Sequence, residues 1–271
     1  MSTPVPLIVK LLASSVSVAN RAGKIVRDVM SKGELGIVEK GDVPSDWIVI
    51  DTDKDVLSLE CPSSLQGVKE EDIVVWVDPL DGTSEYTQGF LEHVTVLIGI
   101  SVNEKPVAGV IHQPYYKTIN GGEKKMGRTI WGLQGVGVGG FTPAPPPDSL
   151  IITTTRSHSN ALAEKGLQAM NASQVLRVGG AGYKVLQLLE GIASVYLFAT
   201  SGCKKWDTCA PEAVLSAAGG KLTDILGNYY KYGASEQRLN KTGVLAAVNN
   251  DLHSYALSKI PEELKELQSK K

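Results

Sequence analysis

Leu7, Ile8, Leu11, Leu12 and Val18 recur at helical spacing with Ser15 on the same face, while Arg21, Lys24 and Arg27 continue as a polar one. The pattern predicts an amphipathic helix from residue 7 to about Met30. Lys10 breaks the apolar run, which weighs against a signal peptide. From residue 32 to 72 no period is sustained, although Ile48-Val49-Ile50 reads as a short strand. Ile73-Val74-Val75-Trp76-Val77 is a continuous apolar run, the pattern of a strand buried on both faces. Residues 94–102 and 105–111 read as a hairpin around Asn103-Glu104, and Ile130-Trp131-Gly132-Leu133 adds a strand. The glycines of 135–140 and the prolines of 143–147 read as an exposed connection, dividing the chain into halves 1–142 and 148–271.

The second half alternates. Strands are predicted at 150–155, 175–178 and 194–199, with helices at 160–170, 183–190 and 208–218. Gly219-Gly220 suits a helix C-terminus. Residues 261–271 read as a solvated helix or frayed tail. Strands and helices in alternation predict a layered α/β fold.

Composition narrows the partners. The 271 residues carry 27 basic and 29 acidic side chains and 42% hydrophobic content, enough for a core and without a broad basic field. Bulk nucleic acid and anionic membrane are therefore not expected as partners, and no apolar run approaches the roughly 20 residues that span a bilayer. Cys61, Cys203 and Cys209 have the spacing of neither a zinc site nor a disulfide framework, so a cytosolic, reducing location is expected.

The candidate chemistry starts at Trp76-Val77-Asp78-Pro79-Leu80-Asp81-Gly82-Thr83. Two carboxylates leave a strand there, and Gly-Thr opens the next element. Oxygen ligands of this kind suit Mg²⁺, which keeps positions for water and phosphate. Alone, the segment reads equally as a turn with an Asp cap. Lys204-Lys205-Trp206-Asp207-Thr208 supplies a second acid, and Asp207 stands where a helix N-cap or a third metal carboxylate would stand. Both segments put an acid between a strand and a helix, where α/β folds collect ligands. Thr153-Thr154-Thr155-Arg156-Ser157-His158 offers hydroxyls and an imidazole after a strand, and Val178-Gly179-Gly180-Ala181-Gly182-Tyr183-Lys184 is glycine-rich before a helix but is no P-loop. Cys203 and Cys209 flank Asp207 without an activating base and read as packing, while His93 and His112 lack ligand-like spacing.

Together, residues 76–83 and the W-D-x-x-A helix from Trp206 to the Gly219-Gly220 pair resemble the lithium-sensitive, magnesium-dependent phosphatase superfamily that includes inositol monophosphatase. Within it the chain is similar to the 3'(2'),5'-bisphosphate nucleotidase branch, through residues 36–40, 75–86, 109–116, 151–160, 177–184 and 202–212. The resemblance implies an α-β-α-β-α sandwich and Mg²⁺-dependent hydrolysis of the 3'-phosphate of adenosine 3',5'-bisphosphate, with 3'-phosphoadenylyl sulfate as a further substrate, a reaction of sulfur-nucleotide metabolism. It further implies that Asp78, Asp81, Asp207 and the Leu80 carbonyl bind metal and that Thr83 helps activate a water. By the same resemblance Thr155 and His158 contact the nucleotide, Gly180 approaches it, and Lys184 pairs with its 5'-phosphate.

The resemblance has one gap. The family carries a D-x-x-T-x-A-D helix and a strand ending in G-E-E, both acidic contributors to the site, ahead of the W-V-D-P-L-D-G-T strand. Here Lys40 passes directly to Gly41, so an N-terminal block of several dozen residues has no counterpart, and exposed apolar surface with marginal stability is expected. Two rivals follow: a catalytically inactive nucleotide-binding form, and an inositol (poly)phosphate 1-phosphatase.

Overall fold

The computed structural model describes residues 5–32, 53–120, 123–156 and 161–269. The amphipathic repeat forms α1 (Leu7–Lys32), and the single turn α2 (Lys54–Leu57) follows, its Asp53 carboxylate accepting from the Val56 amide at 3.0 Å. Then come β1 (Ile73–Asp81), α3 (Thr83–Gln88), β2 (Thr95–Val102), β3 (Lys105–Asn120), β4 (Glu123–Leu133) and β5 (Gly137–Gly139). These five strands make one antiparallel sheet in sequence order. Its β2–β3 hairpin turns on Asn103 and Glu104, with φ of 49° and 67°, the left-handed pair that a two-residue turn of matching twist requires.

The second sheet is built by crossovers. β6 (Ile151–Thr155), α4 (Ala161–Ala169), β7 (Gln174–Val178), α5 (Ala181–Leu189), β8 (Val195–Phe198), α6 (Lys205–Ala217), β9 (Lys221–Thr223), β10 (Val244–Ala247), α7 (Asn250–Lys259) and α8 (Glu262–Ser269) complete the chain. The strand order is β7-β6-β8-β10-β9. β6 runs parallel to β7 and β8, and β10 runs antiparallel to β8 and β9.

Period-two alternation along the strands produces the layers. Val96, Ile98 and Ile100 of β2 turn one way, onto Ile8, Val9 and Leu12 of α1. Each such fully buried side chain contributes roughly 2 kcal/mol. Leu97 turns the other way with Trp76, Ile111 and Ile130, into a core shared by α5, α6 and the inner residues Tyr196, Phe198 and Val244 of the second sheet. Ile152, Val195, Leu197 and Leu245 face outward onto α4, α7 and α8. The α-β-α-β-α arrangement implied by the resemblance is therefore present.

Several expectations are corrected. β1 is not buried on both faces: Val75 is 43% exposed, and β1 is an edge strand that pairs with β2 alone among the described residues. An apolar run cannot reveal its own place in a sheet. The glycines of 135–140 are not simply a connection, since Gly137–Gly139 pairs with β4 as β5. α6 begins at Lys205, three residues earlier than expected, and β9, β10 and α7 lie where no element was predicted. α8 is docked rather than frayed, with Leu264 buried in the outer core. The strand expected at Ile48-Val49-Ile50 and the Lys40-Gly41 junction lie outside the described residues.

One feature of the first sheet governs the position of α6. Gly99, Gly109 and Gly132 sit side by side across β2, β3 and β4, in register. A Cβ on Gly99 would lie 2.6 Å from the Ala210 amide nitrogen, on Gly109 2.5 Å from the Ala210 carbonyl oxygen, and on Gly132 2.7 Å from Val214 Cα. The helix backbone therefore lies directly on the sheet backbone, and only glycine permits that approach.

Candidate metal centre

Three residues apart on a regular strand, Asp78 and Asp81 would point to opposite faces. β1 avoids this with a bulge: Asp78 pairs with Leu97 and Asp81 with Thr95, so β1 advances three residues while β2 advances two. Leu97 and Thr95 share a face, and both aspartates consequently turn toward α6. Trp76, on the same face, anchors the strand by donating from its indole to the Tyr232 carbonyl at 3.1 Å.

α6 brings the third acid. Asp207 sits in its first turn and accepts from the Lys204 amide at 2.7 Å in a capping box, so it is inside the helix rather than at its N-cap. Asn240 ties down the start of that helix, donating to the Lys204 carbonyl at 3.1 Å and to the Thr208 hydroxyl at 3.0 Å. Oxygens of Asp78, Asp81 and Asp207 lie within 4.8 Å of one another, and Asp78 and Asp81 are buried.

Such crowding has an electrostatic cost. Burial pushes the Asp81 carboxyl above its usual range, and the neighbouring Asp78 charge adds to the rise. Asp207 is pushed well up by burial and then by Asp78 and Asp81. Against this, Asp81 accepts three bonds: from Thr95 Oγ1 at 2.6 Å and the Gly182 amide at 2.9 Å on Oδ2, and from the Ala181 amide at 2.9 Å on Oδ1. Repelling carboxylates whose ionised form is held by fixed donors are matched to a hard cation, which removes the repulsion.

Of the other residues expected at the site, Thr83, Gly180 and Lys184 lie beside this cluster. Thr83 opens α3 and donates to the Leu80 carbonyl at 2.9 Å, while the Leu80 amide donates to Asp78 at 3.0 Å. Gly180, with φ 69°, begins the turn whose next two amides reach Asp81. Lys184 is buried, donates to the Gly180 carbonyl at 2.9 Å and lies over the Tyr196 ring at 5.4 Å. Burial lowers its pKa, and the Asp81 charge is the largest opposing influence. Thr155 ends β6 opposite Val178, beside the same turn. His158 lies outside the described residues. His93 supports the turn from below, accepting from the Gly179 amide at 3.3 Å and stacking on Tyr183 at 4.6 Å.

Cys203 and Cys209 are buried free thiols whose pKa burial raises, as a packing role requires. Lys205 is buried and lies over the Tyr230 ring at 4.9 Å. Thr95 and Asn240 were not identified from sequence. Neither lies near a motif, and their relevance comes from strand register and from a loop that folds back on α6.

A layered α/β protein with a buried acidic centre between its sheets is thus defined by fold and geometry. The chain belongs to the inositol monophosphatase family, whose family model matches residues 9–265. It is 45% identical to 3'(2'),5'-bisphosphate nucleotidase 1 of Mus musculus over 98% of each chain, and 34% identical to 3'(2'),5'-bisphosphate nucleotidase 1 of Dictyostelium discoideum over 90% of this chain and 94% of the other. The mouse alignment runs over 305 residues against 271 here, so at least 34 of its positions have no residue in this chain. The fold is similar to that of staphylococcal IMPase-II, with TM-score 0.68 at 16% identity over 96% of this chain and 99% of that one. It is also similar to that of CysQ from Bacteroides thetaiotaomicron, with TM-score 0.62 at 19% identity over 90% and 97%. No helix among the described residues is long and apolar enough to cross a membrane.

Proposed function

We propose that this chain is a Mg²⁺-dependent phosphatase that converts adenosine 3',5'-bisphosphate to AMP and inorganic phosphate, and acts likewise on 3'-phosphoadenylyl sulfate. The observation that carries this reading is the convergence of Asp78, Asp81 and Asp207, their oxygens within 4.8 Å, from two motifs far apart in the chain. The nucleotidases at 45% identity over nearly the whole chain supply the substrate class.

The acidic centre fits a divalent cation: its donors are all oxygens, and like charges crowd there in a buried setting. Asp78, Asp81, Asp207 and the Leu80 carbonyl would hold it. When bound, the cation supplies Lewis acidity that favours ionisation of water and offsets charge on the phosphate oxygens. Thr83 spends its hydroxyl proton on Leu80, which leaves its oxygen to accept from a water and orient it. That water attacks phosphorus, the bond to the ribose 3'-oxygen breaks, and this oxygen takes up a proton. Thr155, His158, Gly180 and Lys184 would hold the nucleotide. The half 1–142 thus contributes two of the three acids and Thr83, and the half 148–271 contributes Asp207 and the nucleotide contacts. Free cysteines at 61, 203 and 209 suit a cytosolic location.

The missing positions favour a second reading, a form that binds the nucleotide without turnover, because the D-x-x-T-x-A-D and G-E-E motifs are absent from the sequence. One experiment separates the two: phosphate release from adenosine 3',5'-bisphosphate with and without Mg²⁺, alongside nucleotide binding. Turnover is expected to require Mg²⁺ and to fall on the order of a hundredfold or more in Asp78→Asn, as the loss of several kcal/mol of charge stabilisation implies. Binding without release selects the second reading, and turnover that survives Asp78→Asn overturns the metal assignment.

A further inference from the structure

We propose that Thr95 is a positioning residue for Asp81, fixing which oxygen of that carboxylate is left to meet a cation. The inference rests on the metal reading above and extends it to a residue outside both motifs.

Thr95 is completely buried at the start of β2 and lies opposite Asp81 across the β1 bulge. Its hydroxyl donates to Asp81 Oδ2 at 2.6 Å, the shortest of the three bonds to that carboxylate. The Gly182 amide takes the other lone pair of Oδ2 at 2.9 Å, and the Ala181 amide takes one lone pair of Oδ1 at 2.9 Å. Each carboxylate oxygen has two lone-pair directions, so among the described residues Oδ2 is saturated and Oδ1 keeps one unused. The carboxylate is pinned on two sides by parts of the chain that are remote in sequence, the β2 strand and the turn before α5.

The arrangement is tight as well as polar. A Cβ on Gly182 would lie 2.5 Å from Thr95 Oγ1, so the hydroxyl is wedged between strand and turn. Without that hydroxyl, Oδ2 would keep a single donor, and the carboxylate could rotate away from the orientation that presents Oδ1. Residues that orient a ligand in this manner typically change metal affinity by about 10- to 100-fold when removed.

The test compares Thr95→Val, Thr95→Ser and Thr95→Ala in the full chain, with Asp81→Asn as reference. Mg²⁺ binding to the substrate-free protein is followed by calorimetry and by the rise in Tm with added Mg²⁺, and the Mg²⁺ concentration giving half-maximal turnover is measured in parallel. Thr95→Val and Thr95→Ala are expected to weaken Mg²⁺ about tenfold, with kcat recovering at saturating metal, whereas Thr95→Ser keeps the parent affinity. The Ser and Ala variants both lose the methyl and differ in the hydroxyl, so their comparison decides the matter even if the Val variant does not fold. If Asp81→Asn weakens Mg²⁺ but Ala and Ser bind it alike, Thr95 has no positioning role. If Asp81→Asn leaves Mg²⁺ binding unchanged, the metal reading of Asp81 fails, and this inference fails with it.

Discussion

Helices α6 and α4 both pack on β-sheets, but at different tolerances. α6 meets the first sheet backbone to backbone across Gly99, Gly109 and Gly132, with no room for a methyl group at any of the three. α4 packs on the outer face of the second sheet through ordinary side chains such as Ala163 and Leu167, and a Cβ on its Gly166 would meet nothing closer than Leu264 Cδ2 at 3.4 Å. Asp207 explains the contrast. Its carboxylate must come within a few ångströms of Asp78 and Asp81, which project from the sheet surface itself, so the helix carrying it must lie close. The outer helix carries no such group and serves to cover apolar strand residues.

The sharpest way to break this comparison is to add one methyl on each side. Gly109→Ala forces the α6 backbone off the sheet and is expected to cost about 3 kcal/mol, the upper end of overpacking effects, and to weaken Mg²⁺ binding by moving Asp207. Thermal melts and Mg²⁺ titration would check both. An unchanged Tm would mean that α6 has slack the structure does not show.

The intermediate effect is a pH dependence divided between a buried carboxyl of α6 and two histidines in the outer layers. Glu212 in α6 is buried and accepts from the Tyr232 hydroxyl, and burial pushes its carboxyl up to about 8. Its folded value lies above the ordinary carboxyl value of 4.5, so its contribution is whole below that pH and is lost as pH rises toward about 8. His112, against α1, and His253, in α7, go the other way. Burial lowers both from 6.5 to about 4, so their contribution is whole above 6.5 and is lost as pH falls toward 4. Stability is therefore expected to peak near neutrality on its acid side. Glu212→Gln should remove a fall of about 1 kcal/mol per pH unit between pH 6.5 and 8, measured as denaturation midpoints with saturating Mg²⁺. An identical fall in the variant would place the effect elsewhere.

The smallest effect is the counterpart of the first. Gly166→Ala, in the middle of α4 and without a clash, is expected to stabilise by up to about 1 kcal/mol through reduced backbone freedom in the unfolded chain. Urea midpoints would register it. A destabilisation would show that the outer layer is as tightly fitted as the inner one.

Much of the chain was legible before folding. α1, the β2–β3 hairpin, β4, and the alternation from β6 through α6 follow from apolar periodicity and turn residues, because those signals are local. Both acidic motifs were legible as well, since their residue types and spacing are dense. The unseen parts have physical reasons. β9 and β10 are three and four residues long, too short to show a period. β5 is made of Gly137, Val138 and Gly139, which lack the side chains that mark a strand. Val75 looked buried because an edge strand and a central one can share the same apolar letters.

Asp78, Asp81, Thr83 and Asp207 could be named from the chain alone, since motif chemistry is written in residue order. Their convergence could not, because it depends on counts and contacts between distant segments: a bulge that turns Asp81 to the face of Asp78, and three glycines in register that let α6 lie close. Thr95 acquires meaning only as the cross-strand neighbour of Asp81, where a hydroxyl 14 residues away and two amides about 100 residues away meet one carboxylate. Local propensity decides what each segment becomes, whereas the ligand geometry is a sum of non-local registers that no single segment contains.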